Sequence, residues 1–514
     1  MSTANLSRML LSNARRFGDA EALVFEGRRW THRDLDRDVN ALASSLQARG
    51  FGPGSRIAVV ANNVPEYLIL ALALAKLGGV LVPLNFRLTS GELVQLIGRA
   101  DVQAVATVPE FAETTGTAVD LVSPALVRLA LEPIDGWVSV PELIEGAQGQ
   151  RVPDAELGPD DLQRIVYTSG TTSLPKGVKL THGNVNANIH VHVVELGLSP
   201  QERLLNFAPL YHVGGTDIPG YAVWHAGGCM VLQRRYDPAA VLRVIGEERV
   251  TGMVLGATML DMLRRTAEAD EAASELTSVR WVIYSQVTRP LHLVARGLFP
   301  SARLIEGYGL TETCSALTYM DAAHIESKQG SVGTPVPWVD VRVVDEDDNE
   351  VPVGTDGEVV ARGPKVSPGY LDDDAATATA FRGGWFHTGD IGRFDSDGHL
   401  FIRDRLKDMI RSGGENIASA EIEAALAEHP EVLAVSVVGA PHPVWVEVPV
   451  AFVMARPGLK VEDLASHART RLGGYKQPKE IYLVDEFPTN PSGKVLKRTL
   501  RAMQPGLTPA WTHG

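Results

Sequence analysis

The sequence has few of the features that mark secreted or membrane-spanning proteins. It contains two cysteines, Cys229 and Cys314, among 514 residues, which excludes a disulfide framework and favours a reducing, cytoplasmic location. The first residues lack the apolar segment of a signal peptide. No apolar run reaches the ~18 residues that a membrane span requires. The longest candidate, residues 67–82, contains Lys76 and two glycines.

Positive charge is also scarce. The formal net charge is −14, from 48 Lys and Arg residues against 62 Asp and Glu residues. This balance argues against a nucleic-acid or anionic-membrane partner, because both require a basic surface. Any anionic ligand must therefore be bound by local positive groups. The apolar fraction of 45% and charged fraction of 21% are ordinary for a globular protein.

Strand and helix patterns alternate over the first part of the chain. Residues 56–60 and 80–84 are predicted strands with a helix at 65–77 between them, a βαβ unit typical of a parallel sheet. The alternation recurs as far as about residue 300 and predicts two stacked αβα layers. Short strands rich in Gly, Pro and Asp then predict a β-barrel-like subdomain at about 332–404. We therefore expect a multidomain α/β and α+β protein, with domains at 1–404 and 409–514 and a hinge at 405–408.

Residues 167–178 combine five Ser/Thr hydroxyls, two glycines and Lys176 in one short stretch. Gly170 allows backbone N–H groups to approach an anion, hydroxyls donate to its oxygens, and Lys176 supplies a positive charge. Apolar strands on both sides predict that this loop connects a hairpin. It does not match the Walker pattern G-x-x-x-x-G-K-[ST]. A phosphate-binding loop is favoured over a hydroxyl-rich surface turn.

Two further stretches have the chemistry of a nucleotide site. Residues 307–313 contain Tyr308, a stacking face, and Glu312, a ligand suited to Mg²⁺ beside phosphates, although the spacing alone is equally typical of a turn. Residues 385–390 end in Asp390, whose two carboxylate oxygens can accept from both hydroxyls of a ribose. The alternative for Asp390 is an ordinary Asx turn.

In this order along the chain, these stretches resemble the adenylate-forming superfamily of acyl-CoA synthetases, luciferases and peptide adenylation domains. The family loop usually reads T-S-G-T-T-G-x-P-K-G-V, and Ser173 replaces its second glycine here. The resemblance implies a nucleotide site in which Tyr308 contacts adenine, Thr311 contacts phosphate, and Glu312 binds the metal. The residues implied to bind the nucleotide are Thr168, Ser169, Gly170, Thr171, Thr172, Lys176, Tyr308, Gly309, Asp390 and Arg405.

The resemblance extends to the acyl and thiol ends of the reaction. It implies that Gly413 and Gly414 line a pantetheine tunnel once the C-terminal domain has rotated, and that Lys494 bridges the carboxylate and the α-phosphate. The carboxylate and the phosphate are both anions and repel each other, and reducing this repulsion is most of what adenylation requires. It also places His212 beside the acyl pocket, with a buried core histidine as the alternative. Lys407 falls at the hinge position or is a solvated lysine, and Cys314 is interpreted as structural.

One segment departs from the family pattern. After the strand at 279–283 the family usually has a loop of small residues that packs on adenine, roughly G-G-A-P, whereas this chain continues through residues 284–288 with Tyr284, Gln286, Val287 and Thr288. The added bulk either reshapes the acyl pocket or disturbs ATP placement. A displacement of about 1 Å in the reacting atoms can lower a rate on the order of a hundredfold.

The prediction is an acyl-CoA ligase. It converts a hydrophobic, bulky carboxylic acid to its CoA thioester through an acyl-AMP intermediate, using ATP, Mg²⁺ and coenzyme A. The alternatives are a ligase that only thioesterifies preformed acyl-adenylate, a free-standing enzyme that loads a carrier protein, and a nucleotide-binding scaffold without turnover. No carrier domain is recognised after Lys494, which favours CoA. A homodimer is compatible with the sequence.

Overall fold

The computed structural model describes residues 4–168, 175–269, 273–285, 289–320, 322–405, 408–412, 415–489 and 495–513. The helices are α1 Arg8–Arg16, α2 His32–Gln47, α3 Pro65–Leu77, α4 Ser90–Ala100, α5 Ala112–Val122, α6 Val140–Gly146, α7 His182–Leu196, α8 Val213–Thr216, α9 Gly220–His225, α10 Pro238–Glu248, α11 Ala257–Ala269, α12 Arg289–Leu298, α13 Asp374–Ala380, α14 Ser419–Ala427, α15 Val461–Arg471 and α16 Lys497–Met503.

The strands are β1 Glu21–Phe25, β2 Arg28–Thr31, β3 Arg56–Val60, β4 Val80–Leu84, β5 Ala104–Thr107, β6 Val127–Ala130, β7 Val138–Ser139, β8 Leu162–Thr168, β9 Lys176–Thr181, β10 Arg203–Asn206, β11 Cys229–Leu232, β12 Gly252–Gly256, β13 Trp281–Ser285, β14 Arg303–Leu310, β15 Ser315–Met320, β16 Ser331–Pro335, β17 Asp340–Val344, β18 Gly357–Arg362, β19 Phe386–Phe394, β20 Leu400–Arg405, β21 Ile410–Ser412, β22 Glu415–Ile417, β23 Val432–His442, β24 Val446–Ala455, β25 Glu480–Leu483 and β26 Trp511–Thr512.

The chain forms two compact units. The first contains Met1–Val341 and Ala361–His387, and the second contains Arg342–Val360 and Thr388–Gly514. The second unit thus groups β20 and most of β17 to β19 with the C-terminal residues. The domain boundary expected at 405–408 stays a prediction.

The first unit is built on two largely parallel sheets. One has the strand order β7-β6-β5-β3-β4-β8-β9, parallel as far as β8. The other follows the order β2-β1-β11-β10-β12-β13-β14-β15-β16, with parallel pairing from β1 to β14. Buried side chains project from both faces of the central strands, which explains their nearly continuous apolar sequences. The predicted α/β class is confirmed.

A central hydrophobic core lies between these sheets. Ile57 of β3 and Ile283 of β13 both belong to it, and α3 is buried along its whole length. The apolar run at 67–82 is therefore a core helix followed by a strand. Lys76 within it is neutralised by Asp154, with Nζ and Oδ1 2.6 Å apart. Within the described residues, no helix combines the length and the apolar character that crossing a membrane requires.

The predicted hairpin at the phosphate loop is confirmed for the strands on either side of it. Strands β8 and β9 pair antiparallel, and their register ends with Thr168 opposite Lys176. The loop between them, residues 169–174, lies outside the described residues. Both flanking positions are therefore brought to the same end of the hairpin by backbone pairing alone.

The second unit has α+β character. Strands β17, β18, β19 and β20 are neighbours in that order, and a separate sheet has the order β22-β21-β24-β25-β26 with β23 on β24. Helices α14 and α15 pack on this second sheet through Ile422 and Leu464, which share a buried cluster with Val453 of β24. This arrangement confirms the mixed class predicted for the C-terminal residues.

A buried ion pair links two elements of the first unit. Arg164 of β8 and Asp217, which follows α8, are 3% and 0% exposed in their side chains. The guanidinium donates to the Asp217 carboxylate and, at 2.9 Å, to Thr216 Oγ1. Burial opposes the charge on the guanidinium, but the Asp217 carboxylate outweighs it and raises the pKa of Arg164. The pair thus joins the strand before the phosphate loop to the helix that begins after His212.

We expect Asp217→Asn to lower the free energy of unfolding by about 3–5 kcal/mol, because it leaves a buried guanidinium without a counter-charge. Urea unfolding monitored by tryptophan fluorescence measures the change. Asp135→Asn is the matched control, since Asp135 is exposed and should change stability little. A loss below about 1 kcal/mol for Asp217→Asn would show that the pair does not hold these elements together.

Candidate active site

The two described ends of the phosphate loop face each other. Thr168 Oγ1 lies 3.5 Å from the carbonyl oxygen of Lys176. The Lys176 ammonium stands over the ring of Tyr370, with Nζ 4.8 Å from the ring centroid. Thr168 and Lys176 are thus brought together as expected. Ser169, Gly170, Thr171, Thr172 and Ser173 lie outside the described residues, and their phosphate contacts stay predictions.

Glu312 sits in a short turn between β14 and β15. The 3₁₀ turn Thr311–Thr313 is followed by Cys314 and Ser315, both with positive φ, at 46° and 81°. Two successive non-glycine residues in this region store conformational strain, which is typical of functional sites. Ser315 also makes a buried hydrogen bond, from its hydroxyl to Asn188 Oδ1 at 2.9 Å. The turn that carries Glu312 is therefore held firmly in place.

The Glu312 carboxylate is oriented by Tyr370. The Tyr370 hydroxyl donates to Glu312 Oε1 at 3.0 Å, and the backbone N–H of Ser367 donates to the Glu312 carbonyl at 2.7 Å. Burial, together with the neighbouring Glu312 carboxylate, raises the pKa of Tyr370. Its hydroxyl consequently remains a hydrogen-bond donor at physiological pH.

The residues near Glu312 fit a magnesium ion shared with a nucleotide. Among the described residues, no group of three or more His, Cys, Asp or Glu side chains is arranged to hold a metal ion. A single oriented carboxylate suits Mg²⁺, which commonly binds one or two protein carboxylates together with substrate phosphates and water. Glu312 would hold the ion, and substrate oxygens would complete its coordination.

Strand β14 brings the backbone close to the predicted nucleotide site. A Cβ atom at Gly309 would lie 2.1 Å from the carbonyl oxygen of Ser315, so no larger residue fits there. Tyr308 is half-buried against the central core, and Thr311 is buried. These residues lie on one segment next to Glu312. Their contacts with adenine and phosphate stay predictions.

His212 has a defined tautomer. It caps α8, and its Nδ1 accepts a hydrogen bond from the backbone N–H of Gly214 at 3.1 Å. The other ring nitrogen, Nε2, therefore carries the proton in the neutral form. Loss of water around the ring disfavours its charged form and lowers the pKa of His212, although the Asp217 carboxylate opposes this shift. His212 is exposed to solvent, so it is not an enclosed core residue.

The protein behind His212 is largely apolar. A small pocket there is lined by side chains that include Leu81, Pro83, Val166, Leu210 and Val213. Arg164 also borders it, but its charge is already engaged by Asp217. Gly215 allows a tight turn, since a Cβ atom there would lie 2.4 Å from the Pro209 carbonyl oxygen. Among the described residues that line this pocket, Arg164 is thus the cation, and Asp217 engages its charge.

The second unit brings together the two predicted ribose contacts. Asp390 of β19 and Arg405 of β20 are cross-strand partners, and Asp390 Oδ1 lies 3.1 Å from Arg405 Nε. Gly389, before Asp390, has φ of 70°, a conformation that favours glycine. The Asp390 carboxylate is buried and fixed by this pairing. Binding of ribose by these residues stays a prediction.

Several predicted residues lie outside the described residues. They are Lys407, Gly413, Gly414 and Lys494, together with Gln286, Val287 and Thr288 of the atypical loop. Tyr284 is described, and it corrects the prediction for that loop. It belongs to β13 and is buried, and its hydroxyl lies 2.6 Å from His292 Nδ1. Its bulk is therefore in the core, because alternate side chains of a strand point to opposite faces.

Tyr370 and the pair of Arg164 and Asp217 were not predicted from the sequence. Arg164 could have been found, because a charged residue inside the apolar strand 162–168 requires a buried partner. Tyr370 has no such signal. It lies outside the regular elements, and it meets Glu312 only through the folding of distant segments.

Comparisons with known proteins identify the family of this chain. Residues 10–371 match the family model of the AMP-binding enzyme, and residues 421–494 match that of the AMP-binding enzyme C-terminal domain. A feruloyl-CoA synthase of an Amycolatopsis species is 37% identical, over 98% of this chain and 99% of the relative. An indoleacetate–CoA ligase of Aromatoleum aromaticum is 36% identical, over 94% of each chain.

Solved structures give the same result. The o-succinylbenzoate CoA synthetase of Bacillus subtilis, in complex with its acyl-adenylate intermediate, superposes with a TM-score of 0.85 at 28% identity. The match covers 96% of this chain and 97% of that chain. The chain therefore belongs to the AMP-binding enzyme family, in its acyl-CoA synthetase branch, and is an acid–thiol ligase.

Proposed function

We propose that this protein forms the CoA thioester of a carboxylic acid with an aromatic ring, in an ATP-dependent reaction that passes through acyl-AMP. The observation that carries the proposal is the similarity, along nearly the whole chain, to ligases named for feruloyl and indoleacetate groups, which are 37% and 36% identical. The acyl groups in both names carry an aromatic ring. This shared ring narrows the proposed substrate class from hydrophobic acids, which the sequence predicted, to aromatic acids.

The charges near His212 support an acid whose distal end is uncharged. A second carboxylate at that end would need a free cation in the pocket. Arg164 is the cation bordering it, and releasing Arg164 from Asp217 would leave a buried carboxylate unpaired. The pocket is closed in this structure, so an acyl group enters it only after the lining side chains move. An aromatic ring would then gain free energy from contact with apolar side chains such as Leu210 and Val213.

In the first step, a carboxylate oxygen attacks the α-phosphorus of ATP, and pyrophosphate leaves with the electrons of the broken P–O bond. Lys176 and the loop hydroxyls would bind phosphate oxygens, and Lys494 would offset the repulsion between the two reacting anions. Glu312 would hold Mg²⁺, which would withdraw charge from the phosphates. His212 donates from Nε2 to an oxygen of the acyl or phosphate group. Each residue offsets negative charge that accumulates during attack.

In the second step, the CoA thiol attacks the acyl carbonyl, and AMP leaves with the former carboxylate oxygen on its phosphorus. This step does not use the β- and γ-phosphates. We infer that residues around Gly413 and Gly414 guide the thiol after rotation of the C-terminal domain. Such a hinge motion absorbs its change in a few backbone dihedrals.

The proposal is tested by supplying ATP, Mg²⁺ and CoA with a panel of acids and measuring thioester, AMP and pyrophosphate by mass spectrometry. We expect hydroxycinnamate, indoleacetate or benzoate derivatives to react in preference to malonate and to saturated fatty acids. A parallel reaction supplies synthetic acyl-AMP and CoA without ATP. Thioester from acyl-AMP alone would identify a ligase that only thioesterifies. Acyl transfer only to a carrier protein would identify a loading enzyme.

We expect Lys494→Ala to lower the adenylation rate about a hundredfold or more, since it removes a charge that acts between two anions. Pyrophosphate release in single turnover measures this step. Thioester formation from synthetic acyl-AMP should remain within about threefold of the unmodified enzyme. Lys460→Ala, at an exposed lysine, is the control. Equal losses in both steps would contradict the role of Lys494.

We expect the rate of adenylation to fall at acid pH as His212 becomes protonated, because protonated Nδ1 can no longer accept from Gly214. Since the pKa of His212 is lowered, the midpoint of this fall should lie at a pH below the ordinary imidazole pKa of about 6.5. The pH profile of kcat/KM for the acid measures it.

His212→Asn should remove this acidic limb and lower kcat/KM about a hundredfold. Asparagine is a good helix-capping residue, so α8 should stay intact. An unchanged limb in this variant would assign the titration to another group and would contradict the role of His212.

A further inference from the structure

Tyr370 lies in a segment that hydrogen-bonds to both sides of the candidate ATP site. The backbone N–H of Leu371 donates to Gly177 O at 2.7 Å, and that of Lys179 donates to Gly369 O at 3.0 Å. These bonds attach the segment to β9, which begins at Lys176. As described above, Ser367 attaches the same segment to the turn of Glu312.

The Tyr370 side chain is held rigidly. It is 5% exposed, and its ring packs edge-on against Phe381, with centroids 5.9 Å apart and planes at 69°. Its backbone N–H donates at 3.0 Å to Oγ1 of Thr377, which is a residue of α13. A buried ring fixed by packing and by its own backbone can hold its neighbours in a defined geometry.

Two groups with predicted functions contact different parts of this ring. The hydroxyl donates to Glu312, and the face receives the Lys176 ammonium by a cation–π interaction. Because the same rigid ring makes both contacts, it fixes the carboxylate relative to the ammonium. Neither contact involves residues 169–174 of the phosphate loop.

We propose that Tyr370 is a positioning residue of the ATP site, which orients Glu312 toward Mg²⁺ through its hydroxyl and Lys176 toward phosphate through its ring. This inference rests on the proposed function, because it assigns those roles to Glu312 and Lys176. Tyr370 would act through its contacts with Glu312 and Lys176 and not by binding the metal or the nucleotide itself. Removing such an outer partner of a ligand commonly lowers metal affinity by about 10–100-fold.

The decisive measurement is metal affinity in the ternary complex. Mn²⁺ binding is followed by electron paramagnetic resonance with the full-length protein and saturating α,β-methylene-ATP, which cannot transfer its AMP group to an acid. Tyr370→Phe keeps the ring and removes the hydroxyl. We expect it to weaken Mn²⁺ binding about tenfold. Calorimetry in EDTA should show metal-free nucleotide affinity within about twofold of the unmodified protein.

Tyr370→Leu removes the ring as well. It should weaken Mn²⁺ binding to a similar degree and also weaken metal-free nucleotide binding about threefold, through loss of the cation–π contact. The matched control is Tyr236→Phe, which removes a half-buried hydroxyl that donates to Met259 O. That control should change neither affinity. If Tyr370→Leu does not fold, Tyr370→Phe still tests the hydroxyl.

A double-mutant cycle with Glu312→Gln separates positioning from general destabilisation. If Tyr370 acts through the Glu312 carboxylate, adding Tyr370→Phe to Glu312→Gln should weaken Mn²⁺ binding by less than about twofold. Additive losses, or equal losses in Tyr370→Phe and Tyr236→Phe, would overturn the proposal, as would unchanged Mn²⁺ affinity in Tyr370→Phe. Failure of the unmodified enzyme to release pyrophosphate with any acid would instead count against the proposed function, and the binding data would still decide the role of Tyr370.

Discussion

The candidate site in the first unit depends on a buried ion pair. Arg164 lies in the apolar strand β8, four residues before the strand ends, and Asp217 follows the helix that His212 caps. Removing either charge leaves the other without a partner in a low-dielectric interior, where an unpaired charge is strongly unfavourable. The pair therefore couples the strand that enters the phosphate loop to the helix that presents His212. It also removes the positive charge of Arg164 from the neighbouring pocket.

A second connection acts on the other side of the loop. The segment containing Tyr370 is bonded to β9 through backbone pairs and to Glu312 through both backbone and side chain. Lys176 and the carboxylate of Glu312 are thus supported by regular structure and by a buried partner, Tyr370. Such support matters because reacting groups must be held within about 0.5 Å of their productive positions. The strain at Cys314 and Ser315 is consistent with a turn shaped for function more than for stability.

The sequence predicted those parts of the structure that local chemistry determines. The βαβ alternation and the hairpin of β8 and β9 follow from residues close in sequence. Asp390 and Arg405 were predicted only as ribose contacts, and the structure adds that they pair on adjacent strands. Gly309 was predicted to contact the nucleotide, and the structure adds that a Cβ atom there would meet the Ser315 carbonyl oxygen.

Contacts between distant segments were not predictable in this way. Tyr284 appeared to belong to an atypical loop, but strand alternation turns it into the core beside His292. Tyr370 meets Glu312 across 58 positions of sequence, and Asp217 meets Arg164 across 53. A single sequence gives the type of these residues but not their partners. Only Arg164, as a charge in an apolar strand, indicated that a partner had to exist.

The central claim is that the carboxylate of the substrate attacks the α-phosphate of ATP before any thiol reacts. It is tested most directly with an aromatic acid labelled with ¹⁸O in its carboxylate, supplied with ATP, Mg²⁺ and CoA. The account predicts that the AMP produced carries one ¹⁸O atom, because the carboxylate oxygen stays on phosphorus when the thiol displaces AMP. Thioester formation accompanied by unlabelled AMP would contradict it.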